Sequence, residues 1–546
     1  MKLIQKVRKF LKNNNIDYLL VNSTNEFLVE YPELQENARY LLTKFSGSTG
    51  DAVISQSKIY LFVDGRYHRQ ADLEVDKNQV TVVKMKIGES FSGLLSEKLS
   101  PDKTLAMVAQ KNSQKRLELL KQTLKKKNID ITLIDYDPVI KFSVSKVPAL
   151  KDNIEKISDK ICGISADDKF SKISKNLKNK EAVLITNPEE VSYLCNLRDF
   201  SFPYSSKIRG KCIITKDNAT LFSGYGKNIG EKFKLKTLKE FENYIKKISG
   251  TKTVYVDKNS INAYDYGLIC EKALPLKISP LKEMKSIKTP EEIVHYKKCF
   301  EKTDKALNAT KKIIEETENL SEYDIAQKLE ENFYKFGAKS LSFKSIVAKD
   351  KNSALAHYSK NSKKEILKEG SLILIDCGAY YEGGYATDIT RVFIKGNPSK
   401  LQKRIYTTVL KGVLKAFRKK ITNTTTGFSL DKTARKILNG IKPEGFEFSH
   451  SLGHGIGINV HESPPFLAFS LLAKTPLKPN MCFTIEPGLY NPKHFGIRLE
   501  NSCYLSKEKN ELKIKSFTNM CFEKKLIDFD MLTSTEKKQL KNFKIA

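Results

Sequence analysis

Two apolar runs on either side of a glycine pair constrain the fold of this 546-residue chain more than any other feature. The first run, SLILID (371–376), ends on Asp376, and the second, ATDITRVFI (386–394), contains Asp388. Short β-branched runs that flank a Gly-Gly turn indicate a β-hairpin. Antiparallel pairing of the two runs would place the two aspartates side by side, near enough to share metal ions.

Three residues further along the chain have the chemistry to complete a metal site. CFTIEPGLY (482–490) and FGIRLENSCYL (495–505) each predict a strand that carries one glutamate, Glu486 and Glu500 respectively. Glu500 lies mid-strand in this interpretation, where an unpaired charge is costly to bury. His454 belongs to the glycine-rich segment SHSLGHGIGINVHE, in which small residues let the backbone approach a ligand closely.

Two aspartates, one histidine and two glutamates form a ligand set suited to a two-metal hydrolase site. Such a pair of ions activates a water and stabilises the charge that develops when the water attacks a carbonyl. Taken singly, each residue has an ordinary explanation, since a strand-end Asp usually forms a turn and a Glu before Pro is usually solvated. Their clustering favours function, because four of the seven histidines also fall in or just before this region: His357, His450, His454 and His461.

The same segments carry a family resemblance. LIDCG, TDITRVF, HSLGHGIGINVHE, TIEPGLY and GIRLEN resemble the motifs of the pita-bread metallopeptidases, the family of methionine aminopeptidase, prolidase, creatinase and aminopeptidase P. The resemblance implies a dinuclear metal centre, most often manganese in the proline-specific members. The residues at the matching ligand positions are Asp376, Asp388, His454, Glu486 and Glu500.

The five predicted ligands are expected to divide between two ions. Asp376 would bind one ion and His454 with Glu486 the other, while Asp388 and Glu500 bridge the pair. Carboxylate-rich ligands favour manganese, although zinc, cobalt or iron also suit such a site. A hydroxide held between the ions is the expected nucleophile, and by resemblance Glu486 takes the proton from the attacking water.

One spacing departs from the family pattern. Asp376 and Asp388 are 388 − 376 = 12 residues apart, one more than is usual in the family. An extra residue in a hairpin becomes a bulge or a longer turn, and Glu382-Gly383-Gly384 is expected to absorb it. A slip in register would instead turn Asp388 away from the metals, but the close match of TDITR argues against a slip.

Three of the other histidines match family positions that lie near substrate. His357, in SALAHYS, is expected to contact substrate and to stabilise the tetrahedral oxyanion with a hydrogen bond. His461 matches a second substrate-binding histidine, and both are candidates for a catalytic role. His450 matches a histidine near the entrance of the site. An ordinary loop histidine is the alternative for His357 and for His450.

Two arginines also have candidate roles. Arg498 precedes Glu500 by two residues and would share its face of an extended strand, where it can support a ligand carboxylate. Arg39 resembles an arginine of the N-terminal domain that reaches substrate in related enzymes.

The length of the chain predicts more than one domain. FSGSTGDAVI (45–54) and SYLCNLRDFSFPYSS (192–206) resemble the first and second domains of the three-domain, cytosolic type of aminopeptidase P. Helical runs also alternate with short apolar strands in a similar order in both parts, which indicates α/β structure and allows a duplicated fold. We therefore predict two creatinase-like α/β domains, residues 1–145 and 146–283, and a pita-bread catalytic domain of mixed α/β and α+β character, residues 284–546.

Composition excludes some partners. The net charge of +32 is mostly due to lysines spread along the chain, and no nucleic-acid motif accompanies them, so specific nucleic-acid binding is not expected. No apolar run is long enough to span a membrane, and the lysine-rich N-terminus does not resemble a signal peptide. Nine cysteines without CxxC pairs indicate a reducing compartment, and the cytoplasm is the predicted location.

The leading prediction is a metal-dependent aminopeptidase that hydrolyses the N-terminal Xaa-Pro bond of peptides with two divalent ions, most simply Mn²⁺. Its partners are peptides with proline in second position, and analogy predicts a homodimer. A prolidase restricted to Xaa-Pro dipeptides is the nearest alternative, and the long N-terminal half argues against it. A non-catalytic pita-bread scaffold that binds peptides, histones or RNA is the other, although all five ligand positions are filled.

Overall fold

The computed structural model describes residues 2–86, 88–143, 151–541 and 543. The chain divides into two compact units, of which one comprises residues 1–156, 165–203 and 207–281, and the other residues 157–164, 204–206 and 282–546. The first predicted domain boundary, between residues 145 and 146, lies outside the described residues. The second, between residues 283 and 284, falls inside the helix Pro280–Ser286. The division into three domains at those positions stays a prediction.

A six-stranded sheet opens the first unit. Its strands are β1 (Tyr18–Val21), β2 (Asp51–Ser55), β3 (Ile59–Val63), β4 (Val80–Lys84), β5 (Thr104–Val108) and β6 (Asp130–Ile134). They lie in the order β4-β3-β2-β1-β5-β6, in which β1, β2 and β3 pair antiparallel and the other neighbours pair parallel. The accompanying helices are α1 (Leu3–Asn13), α2 (Ala38–Thr43), α3 (His68–Glu74), α4 (Phe91–Lys98), α5 (Gln114–Leu124) and α6 (Pro138–Phe142).

A second six-stranded sheet follows in the chain. The strands of this region are β7 (Ile154–Lys156), β8 (Glu181–Ile185), β9 (Leu197–Asp199), β10 (Gly210–Ile214), β11 (Ala219–Ser223), β12 (Phe233–Lys236), β13 (Thr253–Val256) and β14 (Ala273–Pro275). The helices in this stretch of the chain are α7 (Asp159–Cys162), α8 (Ala166–Ser174), α9 (Pro188–Cys195), α10 (Phe241–Thr251), α11 (Ala263–Gly267) and α12 (Pro280–Ser286), of which α7 and most of α12 belong to the second unit. β7 and β9 pair only with each other.

The two large sheets have the same topology. The order of the second sheet is β12-β11-β10-β8-β13-β14, and its antiparallel and parallel pairs match those of the first sheet strand for strand. A shared order of elements was visible in the sequence, and the shared pairing now supports a duplicated fold.

Helices of the second unit begin with strong capping signals. The helices that follow α12 are α13 (Pro290–Glu316), α14 (Glu322–Lys335), α15 (Lys400–Phe417), α16 (Gly427–Ile441) and α17 (Ser534–Leu540). At the start of α13 the side chain of Thr289 accepts from the N–H of Glu292, the carboxylate of Glu292 accepts from the N–H of Thr289, and proline occupies the first turn. This capping box fixes the beginning of the helix within MKSIKTPEEIVHYKKC (284–299), the first residues of the predicted catalytic domain.

Small sheets make up the rest of the second unit. The strands are β15 (Ser340–Leu341), β16 (Ile346–Lys349), β17 (Leu372–Cys377), β18 (Ala379–Tyr380), β19 (Ile389–Ile394), β20 (Gly453–Gly455), β21 (Glu462–Leu467), β22 (Cys482–Ile485), β23 (Gly488–Tyr490), β24 (Gly496–Arg498), β25 (Asn501–Glu508) and β26 (Glu511–Ser516). They form a three-stranded sheet β16-β17-β19, a five-stranded sheet β21-β20-β22-β25-β26, and the pairs β15-β18 and β23-β24.

The predicted hairpin is present and in register. β17 and β19 pair antiparallel, with Asp376 opposite Thr390. Gly383 and Gly384, in the connection between the strands, have φ values of +85° and +65°, which glycine adopts without strain. The ladder continues without a bulge from the pair Leu372–Ile394 to the pair Cys377–Ile389.

For both strands that were predicted to carry a glutamate, the prediction is wrong in one respect. Each predicted strand is interrupted at its glutamate and forms two shorter strands. CFTIEPGLY divides into β22 and β23 around Glu486, and FGIRLENSCYL divides into β24 and β25 around Glu500, so Glu500 is not mid-strand. Pro487 has no N–H to continue a ladder, and beyond it the chain changes sheets: β22 pairs with β25, whereas β23 pairs with β24.

Apolar side chains from α15 and α16 fill the main core of this unit. Val409, Val413 and Leu438 are fully buried among residues of β17, β19 and β22. None of the helices among the described residues combines the length and apolarity that crossing a membrane requires.

Candidate active site

The β17–β19 hairpin presents two carboxylates on one face. Directly opposed residues of an antiparallel pair face the same side, as do residues two apart on one strand. Asp376 is therefore on the same face as Thr390, its partner across the ladder, and as Asp388, two residues before Thr390. Asp376 and Asp388 are 9% and 4% exposed.

The strand breaks bring two glutamates to this face. Glu486 and Glu500 occupy the positions at which the β22–β25 pairing ends and the β23–β24 pairing begins. The backbone N–H of Glu500 donates to the carbonyl of Thr390 at 3.1 Å, and that of Glu486 donates to the carbonyl of Leu452 at 2.8 Å. Outside the regular ladders, each glutamate side chain can turn toward the hairpin.

Glycine on both sides of His454 permits a tight approach of neighbouring strands. A Cβ added at Gly453 would overlap the carbonyl of Thr484, and one added at Gly455 would overlap the carbonyl of Glu462. Nδ1 of His454 donates to the carbonyl of Gly455 at 3.0 Å, so the neutral ring keeps its lone pair on Nε2.

Nε2 of His454 points at the carboxylates. It lies 3.5 Å from Oδ2 of Asp388 and 3.5 Å from Oε1 of Glu486. One ligand atom each from Asp388, His454 and Glu500 lies within 4.8 Å of the other two. The structure thus brings together the residues expected to bind metal, while their role as ligands stays a prediction.

The donor atoms of this cluster fit divalent cations. Oδ1 of Asp376, Oδ1 of Asp388 and Oε1 of Glu500 are buried and have no hydrogen-bond partner within the described part of the chain. A buried oxygen without a partner is costly, and a bound cation would remove that cost. Three such oxygens beside an imidazole form a hard, mixed O/N donor set suited to manganese and similar ions.

Burial and mutual repulsion shift the titration of these carboxyls. Burial, followed by the charges of Glu500 and Asp376, raises the pKa of Asp388 well above its usual range. Burial and the charge of Asp376 raise the pKa of Glu500 to about 8. Carboxyls that resist ionisation together are characteristic of functional sites, where a cation supplies the missing positive charge.

Arg498 connects the hairpin to the glutamates. Its Nη2 donates to Oδ2 of Asp376 at 2.5 Å, and its Nε donates to Oγ1 of Thr390 at 3.1 Å. The hydroxyl of Thr390 in turn donates to Oε2 of Glu500 at 2.8 Å. The predicted contact of Arg498 with a ligand carboxylate is therefore present in the geometry.

Thr390 and Tyr490 were missed by sequence reasoning. The phenol of Tyr490 accepts from Nη1 of Arg498 at 2.8 Å and lies 2.7 Å from Nε2 of His450. Nδ1 of His450 donates to the carbonyl of Ser451, so Nε2 accepts from the phenol. The position of Thr390, two residues after Asp388, could have indicated that the two side chains share a strand face. For Tyr490 the sequence gives no such indication beyond its place in EPGLY.

The structure places two other histidines beside this network. The rings of His461 and His454 meet edge to face, with centroids 4.6 Å apart. His357 is half-buried, and the carbonyl of the preceding Ala356 accepts from Nη1 of Arg498 at 3.2 Å.

Arg39 belongs to the other unit. Its buried guanidinium donates to the carbonyls of Gly47, Thr49 and Gly50, and it lies over the ring of Phe45. Burial lowers the pKa of Arg39 to about 10. The structure gives Arg39 a role in ordering residues 47–50, and its contact with substrate stays a prediction.

The segment that contains all five predicted ligands matches a known family. Residues 294–507 match the sequence profile of metallopeptidase family M24. This segment is an M24 metallopeptidase domain. In front of the M24 metallopeptidase domain, residues 4–141 and 145–292 each match a creatinase/prolidase N-terminal domain. The predicted fold class, two creatinase-like α/β domains before a pita-bread domain, is confirmed, and so is a hydrolytic enzyme.

Relatives of this M24 metallopeptidase cover nearly its whole length. A probable Xaa-Pro aminopeptidase P of Coprinopsis cinerea is 27% identical over 99% of this chain and 93% of its own length. The fold matches that of an X-prolyl aminopeptidase from Caenorhabditis elegans, described as a cytosolic enzyme with a di-nuclear active site, with a TM-score of 0.90, 22% identity, and coverage of 98% and 93%. A prolidase from Pyrococcus horikoshii is 29% identical with a TM-score of 0.54, and the match covers 68% of this chain and 100% of the prolidase.

Proposed function

We propose that this M24 metallopeptidase is an Xaa-Pro aminopeptidase that uses two divalent ions, most simply Mn²⁺, to release the first residue of peptides with proline in second position. The observation that carries the proposal is a cluster of carboxylates beside His454. Nε2 of His454 lies 3.5 Å from one oxygen each of Asp388 and Glu486, and the cluster includes three buried oxygens, Oδ1 of Asp376, Oδ1 of Asp388 and Oε1 of Glu500, that have no hydrogen-bond partner among the described residues. Asp376, Asp388, His454, Glu486 and Glu500 would hold the ions. When bound, the ions supply an activated water and positive charge for the developing oxyanion.

The side chains around the ligands have separate tasks in this proposal. Glu486 is the proton acceptor, since its carboxylate is the most accessible of the four and lies beside His454. His357 donates a hydrogen bond to the oxyanion, and His461 binds substrate beside it. Arg498, Thr390 and Tyr490 hold Asp376 and Glu500 in fixed orientations. His450 extends this network through Tyr490.

Selection of proline follows from its chemistry. An Xaa-Pro bond has no amide N–H, and the ring fixes φ, so a pocket selects the ring by shape without a hydrogen-bond acceptor for that amide. The aminopeptidase is favoured over the prolidase because the Coprinopsis relative aligns with 99% of this chain, whereas the Pyrococcus prolidase accounts for 68%. A cytoplasmic location and a homodimer are part of the proposal.

The test compares an Xaa-Pro-Xaa tripeptide with an Xaa-Pro dipeptide, using chelated protein and the same protein reloaded with manganese. Manganese-dependent release of the first residue from the tripeptide, with little turnover of the dipeptide, is the expected result. Preference for the dipeptide would identify a prolidase. No turnover with manganese, zinc, cobalt or iron would leave the non-catalytic scaffold as the better explanation.

A further inference from the structure

A buried ion cluster adjoins His461 in the chain. Oε1 of Glu462 lies 2.5 Å from Nζ of Lys288 and 3.8 Å from Nζ of Lys285. None of these three side chains is more than 3% exposed. Charges buried this deeply persist only when they are paired and hydrogen-bonded, so the geometry of the cluster is strongly restrained.

The cluster holds the backbone on both sides of His461. Oε2 of Glu462 accepts from the N–H of Ile458 at 2.9 Å, and Nζ of Lys285 donates to the carbonyl of Ser463 at 3.3 Å. The segment 458–463 is therefore fixed near both ends by charged side chains. His461 lies within it.

Gly457, the residue before this segment, is joined to the residues just ahead of β19, which include Asp388. The N–H of Ala386 donates to the carbonyl of Gly457 at 2.8 Å. A Cβ at Gly457 would overlap the carboxylate of Glu462, so this carboxylate can approach the backbone here only because residue 457 is glycine. Glu462 therefore orders the loop against the hairpin that holds the predicted metal ligands.

Glu462 remains ionised because of the two lysines beside it. Burial alone would raise the pKa of Glu462, but the charges of Lys285 and Lys288 outweigh burial and lower it. Nζ of Lys288 also donates to the carbonyl of Lys285 at 2.6 Å, which fixes the two lysines relative to each other.

We propose that Glu462, Lys288 and Lys285 are positioning residues that fix the imidazole of His461 against His454. The proposal rests on the proposed function, because that function assigns substrate contact to His461. The two rings meet at 89° with their centroids 4.6 Å apart, a geometry that a shift of the loop would disturb. A displacement of about 1 Å in a group that contacts substrate costs about 10²-fold in rate.

A double-mutant cycle distinguishes positioning from a purely structural role. Glu462→Gln is expected to lower kcat on the tripeptide by about 10- to 100-fold and to change KM by less than about threefold. In a His461→Ala background, the same change should alter kcat by less than about twofold, because the residue to be positioned is gone. Equal losses in both backgrounds would overturn the proposal.

Two further variants serve as controls. Lys288→Arg, which keeps the charge, is expected to recover most of the activity that Lys288→Met loses. Lys411 forms a comparable pair with Glu536 in the same unit, at 2.6 Å with side chains 15% and 11% exposed. Lys411→Met should lower the Tm and leave kcat unchanged, so a matching loss of kcat would count against a specific role for the Glu462 cluster.

A readout independent of turnover separates this proposal from the proposed function. In histidine-labelled protein, the ring signal of His461 is assigned by its loss in His461→Ala. It should shift and broaden in Glu462→Gln, while that of the exposed His494 stays unchanged. An unchanged His461 signal would overturn the positioning role. Absence of turnover by the unmutated protein would overturn the proposed function only, and the ring signals would still decide the positioning role.

Discussion

Nη2 of Arg498 lies 2.5 Å from Oδ2 of Asp376, and the two side chains are only 4% and 12% exposed. The ion pair occupies Oδ2, whereas Oδ1 has no hydrogen-bond partner among the residues that the structure describes. Arg498 also contacts Thr390 and Tyr490, so its guanidinium cannot rotate to follow the second oxygen. We infer that the arginine orients Asp376 and leaves Oδ1 for a cation.

Replacing Arg498 with lysine tests this inference. Lysine keeps the charge but cannot contact Asp376, Thr390 and Tyr490 at once. We expect the affinity for manganese to fall by about 10- to 100-fold, measured by competition with a metal indicator. Tyr490→Phe removes one hydroxyl from the network and should have a smaller effect. Equal metal affinity of Arg498→Lys and the unmutated protein would exclude an orienting role.

Asp388→Ala should abolish activity without harming the fold. Because Asp388 is one of the predicted metal ligands, its loss is expected to lower kcat by about 10³-fold or more, which corresponds to about 4 kcal/mol. The metal-free variant should unfold at a Tm no lower than that of the metal-free parent, because it no longer buries a carboxyl that has an oxygen without a hydrogen-bond partner among the described residues. Full activity of the variant would contradict the prediction of a dinuclear site.

A second buried aspartate provides the contrast. Asp431 is fully buried and pairs with Arg435 at 2.8 Å. Its replacement by alanine leaves the arginine without its carboxylate, so Asp431→Ala should lower the Tm, unlike Asp388→Ala. Calorimetry of both metal-free variants measures the difference.

Metal binding should weaken as the pH falls. In the metal-free protein the raised pKa values of Asp388 and of Glu500, the latter about 8, keep protons on the carboxyls that an ion must displace. Below about pH 8, binding therefore releases protons, and the apparent affinity should fall about tenfold per pH unit for each proton released. Titration calorimetry in buffers of different ionisation enthalpy counts these protons. A metal affinity that stays the same from pH 6 to pH 8 would contradict the prediction.

The same shifts affect stability with a definite sign. A carboxyl whose pKa is higher in the folded than in the unfolded state stabilises the fold below its ordinary pKa, and this contribution is lost as the pH rises through the folded value. For Glu500 the loss is complete above about pH 8. The increase in Tm that manganese produces should therefore be larger at pH 8 than at pH 6.

Two glycines should respond oppositely to alanine. At Gly453 a Cβ would overlap the carbonyl of Thr484, and Gly453→Ala is expected to cost about 1–3 kcal/mol or more. At Gly440, near the end of α16, a Cβ would meet no atom of the described residues within 4 Å apart from its chain neighbours and the backbone of its own helix, so Gly440→Ala should stabilise by about 0.5–1 kcal/mol. Denaturant unfolding measures both changes, and a neutral Gly453→Ala would show that β20 has room for a side chain.

Local features of the site were predictable from sequence. The alternation of apolar residues and the glycine turn were sufficient to place Asp376 and Asp388 on one hairpin face, since both signals lie within about two dozen residues. The order of helices and strands in the N-terminal half was likewise visible. The parallel pairing of its sheets was not, because parallel partners are distant in sequence.

Non-local pairing explains what the sequence did not predict. Pro487 indicates that a strand stops beside Glu486, but neither it nor any residue near Glu500 indicates which strand will pair beyond the break, because that depends on which strands lie alongside. The role of Tyr490 is hidden for the same reason, since it depends on contact with Arg498 and His450.

The strand exchange at Glu500 also has a consequence during synthesis. Glu500 reaches the site only when β24 and β25 have paired with β23 and β22, so these strands must have left the ribosome before the donor set closes. A nascent chain that stops before them carries at most Asp376, Asp388, His454 and Glu486, without the carboxylate that Thr390 anchors. We therefore expect the chain to bind metal only after translation has passed residue 500. Ribosome-bound chains that are stalled earlier should not retain manganese.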